Sequence, residues 1–280
     1  MVNVGVHVSI AGSLDLAVDR AREKGCDVFQ LFSRNPRGWN FRPLPETVCS
    51  AFQEKIRASA LVPVDHMPYL PNLASPRKDI YEKSVATLSA ELERCRQLGI
   101  PYLVTHLGHH LGDGIAGGRK RVIAAINTAL LATKESDVVL LLENTAGEKN
   151  SIGSSIEHIR SIYEGLDDKE RIGLCFDTCH AFAAGYDLRS ESGIGDTLHQ
   201  LDEAIGISKI RLVHLNDAKG ELGSGLDRHE HIGMGTIGRA GFSRILHRRE
   251  IRDLPLVCET PVDERRNDVD NIRAVRELAE

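Results

Sequence analysis

The sequence predicts an α/β protein, a single (β/α)₈ or TIM barrel with its active site at the carboxyl ends of the strands. Eight short apolar runs rich in β-branched residues recur along the 280 residues, as is typical of strands buried on both faces. Helical patterns alternate with them, which indicates parallel strands joined by crossover helices. No glycine-rich dinucleotide fingerprint follows the first run, and eight units at this length favour a closed barrel over an open sheet.

The predicted strands are too short for ordinary globular helices and nearly continuous in apolar character. They cover residues 3–9, 27–33, 63–67, 102–108, 138–145, 172–178, 210–216 and 255–260. The second predicted helix, 46–60, starts just after Pro45, where proline costs no helical hydrogen bond. The third covers 77–98 and is closed by Gly99. Because no linker or repeat interrupts the pattern, residues 1–280 are predicted to form one domain.

Composition limits the possible functions. The formal net charge of -5 argues against a generic basic nucleic-acid coat, although bound cations would reverse the field at an acidic site. Six cysteines form no CxxC pair and mostly lie in apolar runs, which indicates reduced, buried thiols. Neither a signal peptide nor an apolar run of about 18 residues is visible. We therefore expect a cytoplasmic protein with no membrane partner.

Polar side chains gather where the predicted strands end, and in a barrel these ends meet at one opening. Seven of the eight strands end in such groups, namely His7, His66, His106, Glu143, Asp177 with His180, His214 with Asp217, and Glu259. Asp227 and His229 follow the seventh strand. A single histidine is more often a hydrogen-bonded core residue, and a single carboxylate is often a helix cap. It is the convergence of the set that indicates a site.

Crowded carboxylates repel one another unless cations neutralise them. Imidazole and carboxylate ligands without a thiolate pair suit Zn²⁺, Mn²⁺ or Fe²⁺ better than Ca²⁺ or Mg²⁺. The candidate ligands outnumber those that one tetrahedral ion can use, so a cluster of two or three metals is predicted. The typical reaction of such clusters is hydrolysis of phosphate esters.

The chain resembles the endonuclease IV family of apurinic/apyrimidinic endonucleases over nearly its full length. The shared motifs are 5–9 (GVHVS), 35–39 (NPRGW), 69–73 (YLPNL), 143–147 (ENTAG), 176–187 (FDTCHAFAAGYD), 214–219 (HLNDAK), 227–229 (DRH) and 259–261 (ETP). The third, fifth and sixth of these motifs are specific. The resemblance implies a trinuclear zinc site with nine protein ligands, with Mn²⁺ or Fe²⁺ as an alternative at one position. The implied ligands are His66, His106 and Glu143 for the first zinc, Glu143, Asp177, His214 and Glu259 for the second, and His180, Asp227 and His229 for the third.

Two loops depart from the family pattern. Where the family reads His-Pro-Gly-Ser-His, residues 106–110 read HLGHH, so the first ligand is kept and His109 is an additional imidazole, expected to be exposed. Residues 231–235 read HIGMG, and the family often has glutamate at the position of Met234. His231 is close enough in sequence to compete with His229 for metal, but only His229 keeps the Asp-x-His spacing.

The resemblance implies base excision repair. The implied enzyme hydrolyses the phosphodiester 5′ to an abasic site in double-stranded DNA, leaving a 3′-hydroxyl and a 5′-deoxyribose phosphate, and also trims blocked 3′ ends. Glu143 and Glu259 are the carboxylates expected to orient the attacking water or accept its proton, without a covalent protein intermediate. Arg37, Tyr69 and Leu70 are implied to enter the duplex and fill the space of the extruded nucleotide. The enzyme is expected to act as a monomer.

Two other interpretations remain open. A sugar isomerase or epimerase on the same barrel would bind one or two metals and use Glu143 and Glu259 as acid and base at a carbon-bound proton. It would need neither the third ligand group nor the loops implied to enter DNA. A binding module with purely structural metals is the other alternative, although structural zinc sites are closed and few.

Overall fold

Eight parallel strands form one sheet curved into a barrel in the computed structural model, which describes residues 2–40 and 42–280. The barrel strands are β1 (Asn3–Val6), β2 (Val28–Leu31), β3 (Val62–His66), β4 (Tyr102–His106), β5 (Val139–Glu143), β6 (Ile172–Asp177), β7 (Ile210–His214) and β10 (Pro255–Cys258). Between β7 and β10, a short antiparallel pair is formed by β8 (Asp217–Ala218) and β9 (His229–Glu230). The predicted barrel is confirmed, and each of the eight predicted strands overlaps one of the barrel strands.

The helices surround the barrel. They are α1 (Leu16–Glu23), α2 (Glu46–Arg57), α3 (Lys78–Leu98), α4 (Ile115–Ala132), α5 (Ile156–Glu164), α6 (Thr178–Ala184), α7 (Glu191–Ile205), α8 (Gly238–His247), α9 (Arg249–Arg252) and α10 (Asp268–Leu278). The helix predicted over 46–60 ends earlier, at Arg57. The Ser59 hydroxyl donates to the Ile56 carbonyl at 3.1 Å and accepts from the Leu61 amide at 3.4 Å, which gives the backbone an alternative to another helical turn.

Helix α6 was not predicted as a separate helix. It begins directly after β6, where Asp177 Oδ1 accepts a hydrogen bond from the His180 amide at 2.7 Å and so caps the helix. Gly185 ends the helix in the left-handed conformation, with φ of 110°. Asp177 and His180, which the sequence predicts as metal ligands, therefore also lie at the start of a helix. The helix holds His180 one turn beyond the end of the strand.

The barrel closes between β1 and β2. The amide of Val8 donates to the carbonyl of Gln30 at 2.7 Å, and His7 and Gln30 form a parallel bridge. A Cβ atom at Gly5 would lie 1.6 Å from the carbonyl oxygen of Val28. Glycine at this position therefore allows the two strands to approach each other closely.

Side chains alternate between the inside and the outside of the barrel along each strand. The inside holds a compact apolar layer made of Val28, Val64, Val104, Leu141, Cys175, Leu212 and Val257. Two residues further along the same strands stand Gln30, His66, His106, Glu143, Asp177, His214 and Glu259. The strands thus carry a polar layer at the mouth of the barrel, directly above an apolar one.

The cysteines are free thiols, and all but the half-buried Cys49 are buried. The prediction of buried thiols is therefore confirmed. Among the residues that the structure describes, no helix combines the length and the apolar character needed to span a lipid bilayer.

Candidate metal centre

The structure brings the nine predicted ligand residues together at the mouth of the barrel in three groups. Within each group, one nitrogen or oxygen atom from every residue lies within 4.8 Å of the others. The groups are His66, His106 and Glu143; then Glu143, Asp177, His214 and Glu259; then His180, Asp227 and His229. They coincide with the three sets of ligands that the family resemblance implies. Their role in binding metal remains a prediction.

Glu143 is fully buried at the end of β5 and belongs to two of the groups. Its Oε1 lies 2.8 Å from Nδ1 of His214, and its Oε2 lies 3.3 Å from Nε2 of both His66 and His106. The two carboxylate oxygens therefore face two different sets of imidazoles. This arrangement suits a carboxylate that bridges two cations.

Backbone carbonyls orient three of the histidines. Nδ1 of His66, His180 and His229 each donates to a carbonyl oxygen, at 2.7, 2.9 and 3.0 Å. A hydrogen on Nδ1 leaves the lone pair of the neutral ring on Nε2, which is the nitrogen that faces the carboxylates. Histidines that bind metals are oriented in the same way.

The donor set fits a metal ion. Among the described residues, the buried Nε2 of His229 has no hydrogen-bond partner, although Asp227 Oδ1 lies 3.4 Å away and Asp177 Oδ2 lies 3.9 Å away. A buried nitrogen of this kind is costly unless something else satisfies it. Imidazole nitrogens and carboxylate oxygens in groups of three and four are the ligands that zinc takes in enzymes.

Cys175 and Cys179 lie close enough to join two further groupings at the same site. Burial raises the pKa of Cys175 to about 12, and it also raises the pKa of Cys179. Both side chains therefore remain neutral thiols near pH 7, whereas the thiolate is the form that binds metals. This favours the histidines and carboxylates as the ligands.

Protonated imidazoles balance the carboxylates when no ion is bound. Burial alone would lower the pKa of His180, but Asp177 and Asp227 raise it well above its usual range. In the same way, Asp227 raises the pKa of His229 to about 9 against the effect of burial. Burial would raise the pKa of Glu143, but the histidines beside it hold that pKa well below its usual range. The site therefore presents ionised carboxylates to a cation.

Metal binding is expected to release protons at neutral pH. His180 and His229 carry protons at pH 7 in the metal-free protein because their pKa values are raised, whereas a metal ligand must be neutral. The apparent affinity should rise by about tenfold per pH unit for each displaced proton, until the pH approaches the pKa of His229 at about 9. Titration calorimetry in two buffers of different ionisation enthalpy counts these protons. Equal heats in both buffers would contradict the prediction.

Two asparagines that sequence analysis missed support the acidic residues. Asn216 Nδ2 donates to Asp177 Oδ2 at 2.7 Å, and Asn216 Oδ1 accepts from the Glu259 amide at 2.7 Å. Asn144 Oδ1 accepts from the Asp177 amide at 2.7 Å, and Asn144 Nδ2 donates to the Asp177 carbonyl at 2.9 Å. Asn144 directly follows a predicted ligand in a shared motif, and Asn216 lies two residues after another. This closeness to the ligands in the sequence was the signal that could have identified them.

The residues predicted to contact DNA lie on two adjoining loops beside the first ligand group. The amide of Tyr69 donates to the carbonyl of Pro36 at 3.2 Å, which joins the two loops. Tyr69 is 62% exposed and Leu70 is 38% exposed, and Arg37 is exposed as well. The Tyr69 ring meets Phe32 edge-on, with 5.0 Å between ring centroids. The loops therefore hold large apolar groups in solvent at the barrel mouth.

A buried charged network anchors the loop that carries Arg37. Arg94 Nη2 donates to the Ser33 carbonyl at 2.5 Å, and the Ser33 amide donates to Asp65 Oδ1 at 2.9 Å. Arg34 pairs with Glu91, with 2.5 Å between Nε and Oε1. Desolvation offsets much of the attraction in a buried pair of this kind, but separating the partners is costly because it leaves a buried charge unpaired. The start of the loop is thereby held against β3 and α3.

The two departures from the family pattern have clear positions. His109 is exposed, as expected, and Asn72 holds its backbone through two hydrogen bonds of 2.9 Å. His231 is fully buried, with Nε2 3.0 Å from Asp263 Oδ1 and Nδ1 3.0 Å from the amide nitrogen of Asn271. His231 therefore fastens its loop to α10, and His229 is the histidine that stands in the third group.

Asp217, another polar residue after the seventh strand, organises a loop. Its Oδ2 accepts from the Gly235 amide at 2.8 Å, and its Oδ1 accepts from the Ile237 amide at 3.0 Å. Met234, which lies next to this loop contact, is exposed. Asp217 thus supports the segment that precedes α8.

A TIM barrel with histidine and carboxylate groups at the carboxyl ends of its strands is typical of metal-dependent enzymes. A family model described as a xylose isomerase-like TIM barrel matches residues 18–280. The probable endonuclease 4 of Methanoculleus marisnigri is 62% identical over 280 residues, which cover 100% of this chain and 99% of that protein. The solved endonuclease IV of Thermus thermophilus is 36% identical, with a TM-score of 0.88 over 99% of this chain and 98% of that one. The chain belongs to the endonuclease IV family of DNA-repair endonucleases, which confirms the predicted family and nuclease class.

The barrel is also found outside nucleases. A solved D-tagatose 3-epimerase-like protein is 19% identical, with a TM-score of 0.76 over 99% of this chain and 96% of that one. At this identity, the likeness shows the fold alone. Membership of the endonuclease IV family therefore decides between the nuclease and the sugar-isomerase interpretations.

Proposed function

We propose that this protein hydrolyses the phosphodiester on the 5′ side of an abasic nucleotide in duplex DNA, using three zinc ions held by the nine residues at the barrel mouth. The observation that carries the proposal is the convergence of those residues into three groups. The products are a 3′-hydroxyl and a 5′-deoxyribose phosphate, and the same site trims blocked 3′ ends. The chain acts as one catalytic domain and as a cytoplasmic monomer.

Zinc suits the donor set, and manganese or iron can use the same donors at one position. When bound, zinc supplies a water with its pKa lowered to about 7 and positive charge for the phosphate oxygens. The supporting hydrogen bonds around Asp177 and the backbone bonds to the imidazoles hold the ligand atoms in place. Little reorganisation is then needed when ions bind.

Glu143 and Glu259 orient the attacking water and take its proton. The side chain of Glu259 is 22% exposed, whereas Glu143 is buried, so Glu259 is the one that reaches the substrate side. Burial alone would raise the pKa of Glu259, but His214 lowers it to about 2, so the carboxylate is ionised at neutral pH. As the water oxygen bonds to phosphorus, its proton passes to the carboxylate. The 3′-oxygen leaves and takes a proton from solvent.

Arg37, Tyr69 and Leu70 recognise the lesion by entering the duplex. The nucleotide that has lost its base is the easiest to extrude, because it has no stacking or pairing to give up. The exposed side chains of Tyr69 and Leu70 can take up the vacated space, as apolar wedges do in other DNA-bending proteins. The network around Ser33 anchors the loop that carries Arg37, and the hydrogen bond from the Tyr69 amide to the Pro36 carbonyl joins the second loop to it.

Replacing Arg37 and Tyr69 together by alanine is expected to weaken binding to abasic duplex by about 10- to 100-fold, because each aromatic contact with a base contributes on the order of 1–3 kcal/mol. The zinc content should not change. Fluorescence anisotropy with a labelled abasic duplex measures the affinity. Leu131→Ala is the matched control, since Leu131 is an exposed apolar residue near the end of α4. Unchanged affinity of the double variant would count against the wedge.

Elemental analysis and a nicking assay test the proposed function together. Protein purified without added metal should contain three zinc ions per chain and should nick a defined abasic duplex on the 5′ side of the lesion. Chelation should abolish nicking, and added zinc should restore it. The proposal fails if chelated protein cuts as fast as zinc-loaded protein.

A further inference from the structure

Gln30 stands on β2 in the layer that the proposed metal ligands occupy on the other strands. It follows Val28 of the apolar layer by two residues, as His66 follows Val64. Seven strands bring a histidine or a carboxylate to the mouth of the barrel, and β2 brings a neutral amide. Gln30 is 0% exposed, and a buried amide needs partners for both its oxygen and its nitrogen.

Those partners belong to the proposed metal site. Nε2 of Gln30 lies 2.6 Å from Glu259 Oε1, and Oε1 of Gln30 lies 2.8 Å from His214 Nε2. An ionised carboxylate can only accept hydrogen bonds, so the amide atom that faces Glu259 is the nitrogen. The amide oxygen therefore faces His214 and can only accept. It follows that Nε2 of His214 carries a hydrogen.

This hydrogen bond determines which nitrogen of His214 can bind a cation. With the hydrogen on Nε2, the lone pair of the neutral ring lies on Nδ1. That nitrogen lies 2.8 Å from Glu143 Oε1 and 3.3 Å from Glu259 Oε2. His66, His180 and His229 present Nε2 instead, because backbone carbonyls hold their Nδ1 atoms. His214 therefore presents Nδ1 to a cation where the other three histidines present Nε2. A side chain orients its ring, whereas backbone carbonyls orient theirs.

The same amide also orients Glu259. Its N–H group engages Oε1 and leaves Oε2 facing the second ligand group. The other N–H of Gln30 points at Nδ1 of His7, 3.2 Å away, and the His7 ring packs on Phe32 with 4.5 Å between centroids. A reversed amide would place its oxygen against the Glu259 carboxylate and its hydrogens against His214. The observed orientation is therefore strongly preferred.

We propose that Gln30 is a positioning residue of the metal site, which sets the tautomer of His214 and the orientation of Glu259 at the same time. The inference rests on the proposed function, because it acts through two of the proposed ligands. A neutral amide suits the position because a donor and an acceptor are needed on one side chain, without another negative charge beside four carboxylates.

Gln30→Met, Gln30→Glu and the control Gln53→Met test this role. Methionine keeps the approximate size but neither hydrogen bond, whereas glutamate keeps an acceptor for His214 but loses the donor to Glu259. Gln53 lies on α2 and donates to the Gln97 carbonyl at 2.9 Å, so its replacement removes an amide hydrogen bond away from the site. Zinc affinity by chelator competition, the visible spectrum of the cobalt-substituted protein and the ¹⁵N signals of the histidines are measured.

Gln30→Met is expected to lower the affinity for one metal by about 10- to 100-fold, to alter the cobalt spectrum and to mix the His214 tautomers. Gln30→Glu should keep the His214 tautomer and still alter the cobalt spectrum, because Glu259 has lost its donor. Gln53→Met should match wild type. Wild-type affinity and an unchanged cobalt spectrum in either folded Gln30 variant would overturn the inference. Wild-type protein that binds no metal would refute the proposed function itself, a distinct result.

Discussion

Glu143→Gln is expected to slow cleavage of abasic duplex by at least about 10⁴-fold, which corresponds to about 5.5 kcal/mol of transition-state stabilisation. Glu143 is shared by two ligand groups, and its oxygens face His66, His106 and His214. The amide would remove one negative charge from each of the two groups and would turn an N–H group toward an imidazole nitrogen. The loss therefore combines weakened metal binding with the loss of a proton acceptor, each of which has a large effect.

Single-turnover nicking with enzyme in excess measures the effect of Glu143→Gln, and elemental analysis measures its metal content. Glu157→Gln is the control, because Glu157 is an exposed carboxylate in the first turn of α5. It should retain activity within about twofold, as expected for a surface substitution. A Glu143→Gln protein with its full complement of zinc and near-normal activity would show that Glu143 does not link the two groups.

The barrel was predictable because its signal is repeated along the chain. Each strand is a short apolar run, and each polar residue at a strand end stands out against that run. His66, His106 and Glu143 could therefore be identified before any pairing of strands was known. Because parallel strands in a barrel all present their carboxyl ends at one face, convergence followed from topology alone.

Neutral supporting residues gave no comparable signal. Gln30, Asn144 and Asn216 carry no charge, so they do not stand out as candidate ligands. Their importance depends on partners across the barrel, such as the contact of Gln30 with Glu259, a residue 229 positions away in the chain. The side-chain alternation from Val28 to Gln30 was available in the sequence. Whether this alternation brings Gln30 next to Glu259 depends on the register between β1 and β2, where Gly5 allows the two strands to approach closely.

Helix α6 was missed for a related reason. The segment after β6 contains Asp177 and His180, which attract attention as ligands. The same Asp177 caps the helix with Oδ1 and accepts from Asn216 with Oδ2. Asp177 therefore has a structural role as a helix cap and a proposed role as a metal ligand. A sequence motif does not distinguish these two roles. The consequence is that Asp177 variants would alter folding and metal binding together, which makes them poor probes of chemistry.

Glu259→Gln offers a cleaner probe and is expected to lower kcat by about 10²- to 10⁴-fold, with a much smaller change in KM. Glu259 is partly exposed and makes its buried contacts through Gln30 and His214, so the isosteric amide can remain in the same place. The amide cannot take a proton from water. A transition-state role predicts that kcat and kcat/KM fall together, whereas a role in holding DNA predicts a rise in KM with kcat unchanged.

Steady-state nicking over a range of abasic duplex concentrations separates these two outcomes for Glu259→Gln. The metal count should fall by at most one ion per chain, because Glu259 belongs to only one of the three groups, whereas Glu143 belongs to two. The same geometry therefore predicts a different loss of metal for the two glutamine variants. Loss of every ion in Glu259→Gln would contradict the division of the site into three groups, because removing a residue from one group should leave the third group of His180, Asp227 and His229 intact.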